Sequence, residues 1–132
     1  GRLLKEVDAL AVFPEKHSLA SRERVTTEDL AEESLIAPPA GKPFRQALQK
    51  CFEERGLVLP VALEADGWEL MMHFVQLGLG ATVVNGCCRI PRGCVGVPFV
   101  DLAPSRYYLV RRRGLRLNNT WAQRLYLELK GL

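Results

Sequence analysis

Apolar runs separated by turn-forming residues predict several strands along the chain. Val7 to Phe13 is almost continuously apolar and ends at Pro14, which indicates a first strand that is buried on both faces. The shorter run Ser34 to Ala37 predicts a brief second strand. Leu57 to Ala65 has the pattern of a strand but contains Pro60, and this favours an edge position in a sheet.

Three- and four-residue spacing of apolar residues predicts helices between these strands. The clearest helix begins at Pro43 and ends before Gly56. Its inward face is predicted to consist of Phe44, Ala47, Leu48, Cys51, Phe52 and Arg55. A shorter helix follows Thr26 or Thr27, either of which can cap it, and its Leu30 faces inward. Its first turn carries Glu28 and Asp29, which suit a helix N-terminus.

A second long helix and a strand follow the turn at Asp66-Gly67. Trp68 to Leu77 is apolar on almost every side, so this helix needs a second surface to pack against. One side carries Trp68, Met71, Met72 and Val75, and the other carries Leu70, Phe74 and Leu77. Gly78 closes the helix, and Gly80 removes a side chain where the next strand must pass closely. That strand ends at Asn85.

The last third of the chain predicts further strands and a final helix. Val95 to Val100 is a short strand, and Arg106 to Arg111 is a longer one. Asn118 or Asn119 caps a helix that carries Trp121, Leu125 and Leu129. The alternation of strands and helices predicts an α/β fold with a mostly parallel sheet, right-handed crossovers and helices on its faces.

Composition and charge narrow the class of protein. The chain has 132 residues, of which 48% are hydrophobic and 25% charged, as expected for one globular domain. No apolar run approaches the roughly 20 residues of a membrane-spanning helix, and no signal-peptide core is present, so we expect a cytoplasmic protein without a membrane partner. The net charge of +3 is too small to argue for polyanion binding.

The four cysteines are Cys51, Cys87, Cys88 and Cys94. Adjacent residues on an extended chain point in opposite directions, and no histidine lies at the spacing of a zinc site, so we expect reduced thiols and no metal. The alternative is a reactive thiol, because Arg89 and Arg92 could lower the pKa of a neighbouring cysteine.

The remaining polar residues do not form a catalytic set. His73 lies in the middle of an apolar helix and is expected to be a hydrogen-bonded packing residue, whereas His17 is expected to be solvated in a loop. Without a nucleophile beside a base, and without a glycine-rich phosphate loop, we expect neither an enzyme nor a cofactor. The basic cluster Arg111-Arg112-Arg113 with Arg116 is interpreted as a charged strand end and not as a nucleic-acid site.

Three loops are candidates for ligand binding. Ligands of open α/β sheets bind beyond the carboxyl ends of the strands, where helix N-termini favour anions. Pro38 to Lys42, Asp66 to Trp68, and Asn85 with Gly86 occupy such positions in the predicted fold. Lys42 either faces an anion or is simply solvated, and Trp68 either contacts a ligand or packs in the core.

The order of these segments resembles the effector-binding domains of LysR-type transcriptional regulators. The resemblance rests on five segments in family order: Leu10 to Ala20, Thr27 to Leu30, Leu35-Ile36 with the proline-rich loop and Arg45, Val75 to Gly80, and Arg106 to Arg111 followed by an amphipathic helix. It covers nearly the whole chain. It implies a two-lobed fold similar to type II periplasmic binding proteins, in which a small metabolite lies between the lobes.

The resemblance also implies a domain division and a set of ligand contacts. Residues 1–100 would form the second lobe, and residues 101–132 would be a return segment and C-terminal helix that belong to, or pack on, the first lobe. Ligand contacts carried over from the family, together with Lys42 from the loop geometry, are Pro38, Pro39, Lys42, Gly67, Trp68 and Asn85.

The expected partners follow from the same resemblance. They are a small, anionic effector and a second copy of the chain, since apolar surface that a missing lobe would cover favours dimerisation. DNA would be bound only through a winged helix-turn-helix domain that lies outside this sequence. The alternative is a protein-interaction or dimerisation module with no specific small-molecule ligand.

Overall fold

A computed structural model describes residues 1–110 and 120–131, except for the side chains of 120, 122 and 130. The strands are β1 Arg2–Val7, β2 Ala9–Pro14, β3 Leu35–Ala37, β4 Val61–Glu64, β5 Ala81–Asn85, β6 Cys94–Phe99 and β7 Ser105–Leu109. The helices are α1 Thr27–Ala31, α2 Pro43–Glu53, α3 Trp68–Gln76 and α4 Thr120–Lys130, and a 3-10 turn covers Ser18–Ser21. The predicted caps Asn118 and Asn119 and the cluster Arg111 to Arg113 with Arg116 lie outside the described residues.

The chain divides into two compact units. One unit consists of Gly1–Val7 with Pro104–Leu132, and the other consists of Asp8–Ala103. The predicted first strand, Val7 to Phe13, corresponds to β2, except that Val7 is the last residue of β1. In the smaller unit, β1 and β7 form an antiparallel pair. The division into lobes at residues 100 and 101 stays a prediction.

The larger unit contains a sheet with the strand order β4-β3-β5-β2-β6. β3 pairs in parallel with both β4 and β5, whereas β2 is antiparallel to both β5 and β6. All strands of this sheet except β2 therefore run in one direction. The prediction of an α/β fold with a mostly parallel sheet is confirmed, although the reversed strand makes the sheet mixed. β4 lies at the edge, as Pro60 indicated.

Alternating residues of β2 build a core on each face of the sheet. Ala11 and Phe13 belong to a buried cluster that includes Leu48 and Phe52 of α2. Val12, between them in sequence, belongs to a second cluster with Met71 and other residues of α3. Because side chains alternate along a strand, the two clusters identify two packed faces, with α2 contributing to one and α3 to the other. The burial of β2 on both faces is confirmed.

Local signals fix the ends of the helices. Thr26 caps α1: the Asp29 N–H donates to Thr26 Oγ1 over 3.3 Å, and the Thr26 N–H donates to Asp29 Oδ2 over 2.9 Å. Pro43 occupies the start of α2, as predicted. Gly80 has φ +153, and a Cβ there would lie 2.5 Å from the Ser34 carbonyl oxygen. This close approach confirms why the position has no side chain.

Some expected core positions are exposed. Ala47 lies on the exposed side of α2, and this helix ends at Glu53, before Arg55. The second apolar side of α3 is only partly covered, because Leu70 is 44% exposed and Leu77 60% exposed.

None of the helices in the described part of the chain has the length and apolar composition needed to cross a bilayer.

Candidate functional site

A pocket of about 340 Å³ lies where α2 and α3 begin. β3 leads into α2, and β4 leads into α3. Since β3 and β4 are parallel neighbours, their carboxyl ends meet at the same edge of the sheet and bring both helix N-termini together. The pocket is lined by Pro38, Lys42, Pro43, Phe44, Asp66, Gly67, Trp68 and Met71.

The pocket brings together most of the residues selected from the sequence. Pro38, Lys42, Gly67 and Trp68 are on its wall, but Pro39 and Asn85 are not. The Asn85 side chain instead accepts a hydrogen bond from the Cys87 N–H over 3.0 Å, within the turn that follows β5. All six residues remain predictions as ligand contacts.

Aromatic and aliphatic side chains form most of the pocket wall. The rings of Phe44 and Trp68 meet edge to face, with centroids 4.8 Å apart and planes at 87°. Trp68 is half-buried and also packs against the cluster that contains Met71, which is fully buried. Trp68 therefore serves the core and the pocket at the same time, so the two sequence-based interpretations do not exclude each other. A wall of this kind suits the apolar body of a small organic molecule.

The charged groups on the wall are Lys42 and Asp66. Lys42 Nζ lies 3.5 Å from Asp66 Oδ2, and the two side chains are 52% and 65% exposed. Such an exposed ion pair contributes little stability because water screens both charges. Lys42 is therefore available to another anion at small energetic cost.

The starts of both helices add positive potential to the pocket. Lys42 is the N-cap of α2 and Gly67 is the N-cap of α3, and neither supplies a side-chain hydrogen bond to its helix. Gly67 has φ +116, a conformation that favours glycine and lets the chain turn directly from β4 into α3. Backbone N–H groups at helix starts favour negative charge. The helix starts therefore add to the attraction of Lys42 for an anionic group, whereas Asp66 opposes it.

Arg45 links the loop before α2 to the strand before α3. Its Nη1 donates to the Pro38 carbonyl oxygen over 2.8 Å and to Glu64 Oε1 over 3.1 Å. The Arg45 side chain is only 13% exposed. Pro38 belongs to the loop between β3 and α2, and Glu64 is the last residue of β4, which leads to α3. No local sequence pattern shows that the Arg45 guanidinium reaches a carbonyl seven residues earlier.

A second polar cluster lies around Asp101, away from the pocket wall. Asp101 Oδ2 accepts hydrogen bonds from the Thr27 N–H over 2.7 Å and the Thr27 hydroxyl over 2.8 Å, and Arg55 Nη2 lies 3.3 Å from Oδ1. Desolvation raises the pKa of Asp101, but these hydrogen bonds and the Arg55 charge outweigh it, so the pKa lies below its ordinary value. Cys51 Sγ donates to the Asp101 carbonyl oxygen over 3.4 Å. The cluster ties the start of α1 and the end of α2 to the segment after β6.

The cysteines do not support a reactive thiol at Cys88 or Cys94. Burial, followed by the neighbouring Cys87, raises the pKa of Cys88 to about 11. Burial and then Glu15 also raise the pKa of Cys94. A thiol with a raised pKa holds less of the nucleophilic thiolate at neutral pH. Among the described residues, no group of three or more His, Cys, Asp or Glu side chains is arranged to hold a metal ion.

The two histidines exchange their expected environments. His17 is half-buried: its Nδ1 accepts from the Leu19 N–H over 3.0 Å, and its Nε2 lies 2.9 Å from Glu33 Oε2. Its ring stacks on Phe13 with centroids 4.8 Å apart. His73, expected to pack, is on the exposed side of α3. Neither residue lines the pocket.

Comparison with known proteins agrees with this architecture. A family model for the LysR substrate binding domain matches residues 1–125. The HTH-type transcriptional regulator TtuA of Agrobacterium vitis is 34% identical over 129 residues, which are 92% of this chain and 40% of TtuA. This chain therefore spans less than half the length of that curated relative.

Solved structures show the same fold at lower identity. The regulatory domain of Synechocystis PCC6803 CcmR in complex with 2-PG has a TM-score of 0.75 at 18% identity, covering 98% of this chain and 64% of that one. The BenM effector binding domain with its effector benzoate has a TM-score of 0.69 at 20% identity, covering 98% of this chain and 61% of that one. At these identities the likeness concerns the fold.

Proposed function

Since the chain belongs to the LysR substrate binding domain family, we propose that it is the ligand-sensing part of a transcriptional regulator. The ligand is a small organic anion bound in the pocket at the starts of α2 and α3. One observation carries this proposal: an apolar pocket at the carboxyl ends of two parallel strands has Lys42 and two helix N-termini on its wall. That combination suits a carboxylate attached to an apolar body.

The volume of the pocket and the residues that line it indicate the class of ligand. The volume of about 340 Å³ is at the lower end of the range for small-molecule sites. Phe44, Trp68 and Met71 favour burial of an apolar group, while Lys42 can form a charge-assisted hydrogen bond to an anion. Benzoate, the effector of BenM, is a molecule of this class. It is therefore a suitable probe of this pocket.

In the complete regulator, ligand binding would shift the equilibrium between conformations of the effector-binding region. A ligand changes such an equilibrium only to the extent that it binds one conformation more tightly than the other. We propose that this shift reaches DNA through a helix-turn-helix domain elsewhere in the protein, that the regulator acts as a dimer in the cytoplasm, and that it catalyses no reaction.

An alternative is a protein-interaction module without a specific ligand. The observation in its favour is the exposed apolar side of α3, where Leu70 and Leu77 are on the surface. The two functions are separable by experiment because they use different residues. Ligand binding depends on Lys42, whereas association depends on the exposed leucines.

Substitution of Lys42 tests the proposed pocket. Lys42→Ala is expected to weaken benzoate binding about tenfold, since tenfold corresponds to about 1.4 kcal/mol and a hydrogen bond to a charged group contributes about 1.5–3 kcal/mol before screening at this half-exposed site. The affinity is measured by calorimetry. The stabilisation by benzoate, measured as the shift of the thermal midpoint, should fall in parallel because that shift follows from mass action.

Lys50→Ala is the matched control. Lys50 lies on the same helix, is exposed, and is paired with Glu54 away from the pocket wall. Lys50→Ala removes one positive charge, as Lys42→Ala does, so a general electrostatic effect would weaken benzoate binding equally in both variants. Equal affinities of the two variants would contradict the role of Lys42, and the absence of binding by a series of aromatic and aliphatic carboxylates would favour the interaction module.

A further inference from the structure

Asp66 places a negative charge at a site that otherwise favours anions. Its Oδ2 is 3.5 Å from Lys42 Nζ, and both residues are on the pocket wall. Glu64, two residues earlier, is not on the wall and pairs with Arg45. Lys42 and Asp66 therefore provide one charge of each sign at the place where an anionic group would enter.

The ion pair is suited to exchange. Because Lys42 and Asp66 are both more than half exposed, their attraction is screened, and little is lost when a ligand carboxylate takes the place of the Asp66 carboxylate. After this exchange the Asp66 charge remains at the edge of the pocket. A single ligand carboxylate next to Lys42 is tolerated. A second negative charge on the ligand meets Asp66, and no other lysine or arginine of the described residues lies on the wall to balance it.

We propose that Asp66 determines the charge specificity of this pocket: it pairs with Lys42 in the absence of ligand, releases Lys42 to an organic monoanion, and repels ligands that carry a second negative charge. The inference rests on the proposed function, because it concerns ligands of the same pocket. Specificity then depends on a repulsive group as well as an attractive one. Apolar monocarboxylates are the class that the pocket selects.

The experiment compares benzoate with phthalate, which adds a second carboxylate to the same ring. Binding is followed by the fluorescence of Trp68, which lines the pocket. The only other tryptophan of the chain is Trp121, so all measurements use a Trp121→Phe background. The variant is Asp66→Asn, which removes the charge and keeps the size of the side chain. Asp66 is 65% exposed, so this substitution is expected to preserve the fold.

Glu69→Gln is the matched control for charge. Glu69 is in the first turn of α3, is exposed, and is not on the pocket wall. It removes one negative charge three residues from Asp66. An effect of overall charge would appear in both variants, whereas an effect of contact with the ligand would appear only in Asp66→Asn.

The expected result is a change in the ratio of the two affinities. Asp66→Asn should bind benzoate about two- to threefold more tightly and phthalate at least tenfold more tightly, whereas Glu69→Gln should change the ratio less than twofold. If benzoate binds but the ratio of the benzoate and phthalate affinities is the same in Asp66→Asn and Glu69→Gln, the proposed role of Asp66 is wrong. The proposal that the pocket binds organic anions is then unaffected. If neither probe binds any of these proteins, the proposed ligand class itself is overturned, and the inference with it.

Discussion

Asp101 shows how a single carboxylate can connect distant parts of the larger unit. Thr27 lies at the start of α1 and Arg55 lies just beyond α2, and both contact the Asp101 side chain. Hydrogen bonds to a charged group are stronger than those between neutral groups. The same contacts lower the pKa of Asp101, so the folded protein prefers the ionised form more strongly than the unfolded chain does.

Asp101→Asn is expected to lower the free energy of unfolding by about 2 kcal/mol at neutral pH, because the amide cannot replace both charged interactions. A carboxyl whose pKa is lowered on folding stabilises the protein above its unfolded pKa, about 3.9, and loses that contribution as pH falls through the lower folded value. The difference between the wild type and Asp101→Asn should therefore shrink as the pH is lowered below about 4. Urea unfolding at a series of pH values measures it.

The control for this prediction is Asp66→Asn, which removes an exposed carboxylate from the same unit. Its effect on unfolding should stay within about 0.5 kcal/mol at every pH, as is usual for surface substitutions. A pH-independent difference between the wild type and Asp101→Asn would show that the ionisation of Asp101 does not contribute to stability.

At the scale of the elements, the pocket depends on how two strand-to-helix connections are held together. Arg45 belongs to α2, but its hydrogen bonds reach the loop before α2 and the strand before α3. The Ala65 N–H also donates to the Ala37 carbonyl oxygen over 3.0 Å, which joins the ends of β3 and β4. The backbone around the pocket is thus fixed by hydrogen bonds from Arg45 and Ala65, which do not line the pocket.

Arg45→Met is expected to destabilise the protein by about 1–2 kcal/mol and to weaken benzoate binding several-fold. Methionine keeps much of the aliphatic stem but leaves the part-buried Pro38 carbonyl without its donor, and an unsatisfied polar group costs about 1–3 kcal/mol. Affinity is measured by calorimetry well below the thermal midpoint of the variant, so that the fraction folded does not affect it.

Lys50→Met is the comparison for Arg45→Met, since it makes a similar change on the exposed side of α2. It should alter neither stability nor affinity appreciably. Normal benzoate affinity in a destabilised Arg45→Met would mean that the pocket keeps its shape without this tie, and Arg45 would then contribute to stability alone.

The elements that the sequence predicts well are those set by near neighbours. Pro43 at the start of α2 and the cap at Thr26 depend on residues within one helical turn, and the structure confirms both. β1 was not predicted, because its partner β7 lies about a hundred residues later and its own residues show little regular burial. The reversed direction of β2 is also a property of pairing, which the order of apolar runs does not contain.

The same distinction applies to the candidate site. Pro38, Lys42, Gly67 and Trp68 could be selected because parallel strands bring their carboxyl ends to one edge. The pairing of Lys42 with Asp66 and the hydrogen bonds of Arg45 depend on side-chain reach across separate loops. Such contacts are set by the tertiary structure, since residue type and spacing do not fix them.

At the scale of the whole molecule, the exposed apolar side of α3 is a surface suited to association with a second copy. Leu70 and Leu77 of this side, with Leu79 just after the helix, are all substantially exposed. Burying a leucine contributes about 1.5–3 kcal/mol, so a symmetric contact that covers several of them can support a dimer. Because ligand and partner would use different residues, a dimer is compatible with the pocket.

Leu77→Glu is expected to weaken self-association at least tenfold, because a carboxylate would have to be buried in an apolar contact, at a cost above the 1.4 kcal/mol that corresponds to tenfold. Sedimentation equilibrium over a range of concentrations measures the monomer–dimer constant. Val58→Glu is the control: Val58 is even more exposed but lies between α2 and β4, so the constant should not change. A wild-type protein that stays monomeric at millimolar concentration would rule out this surface, whereas equal weakening by both variants would indicate general charge repulsion.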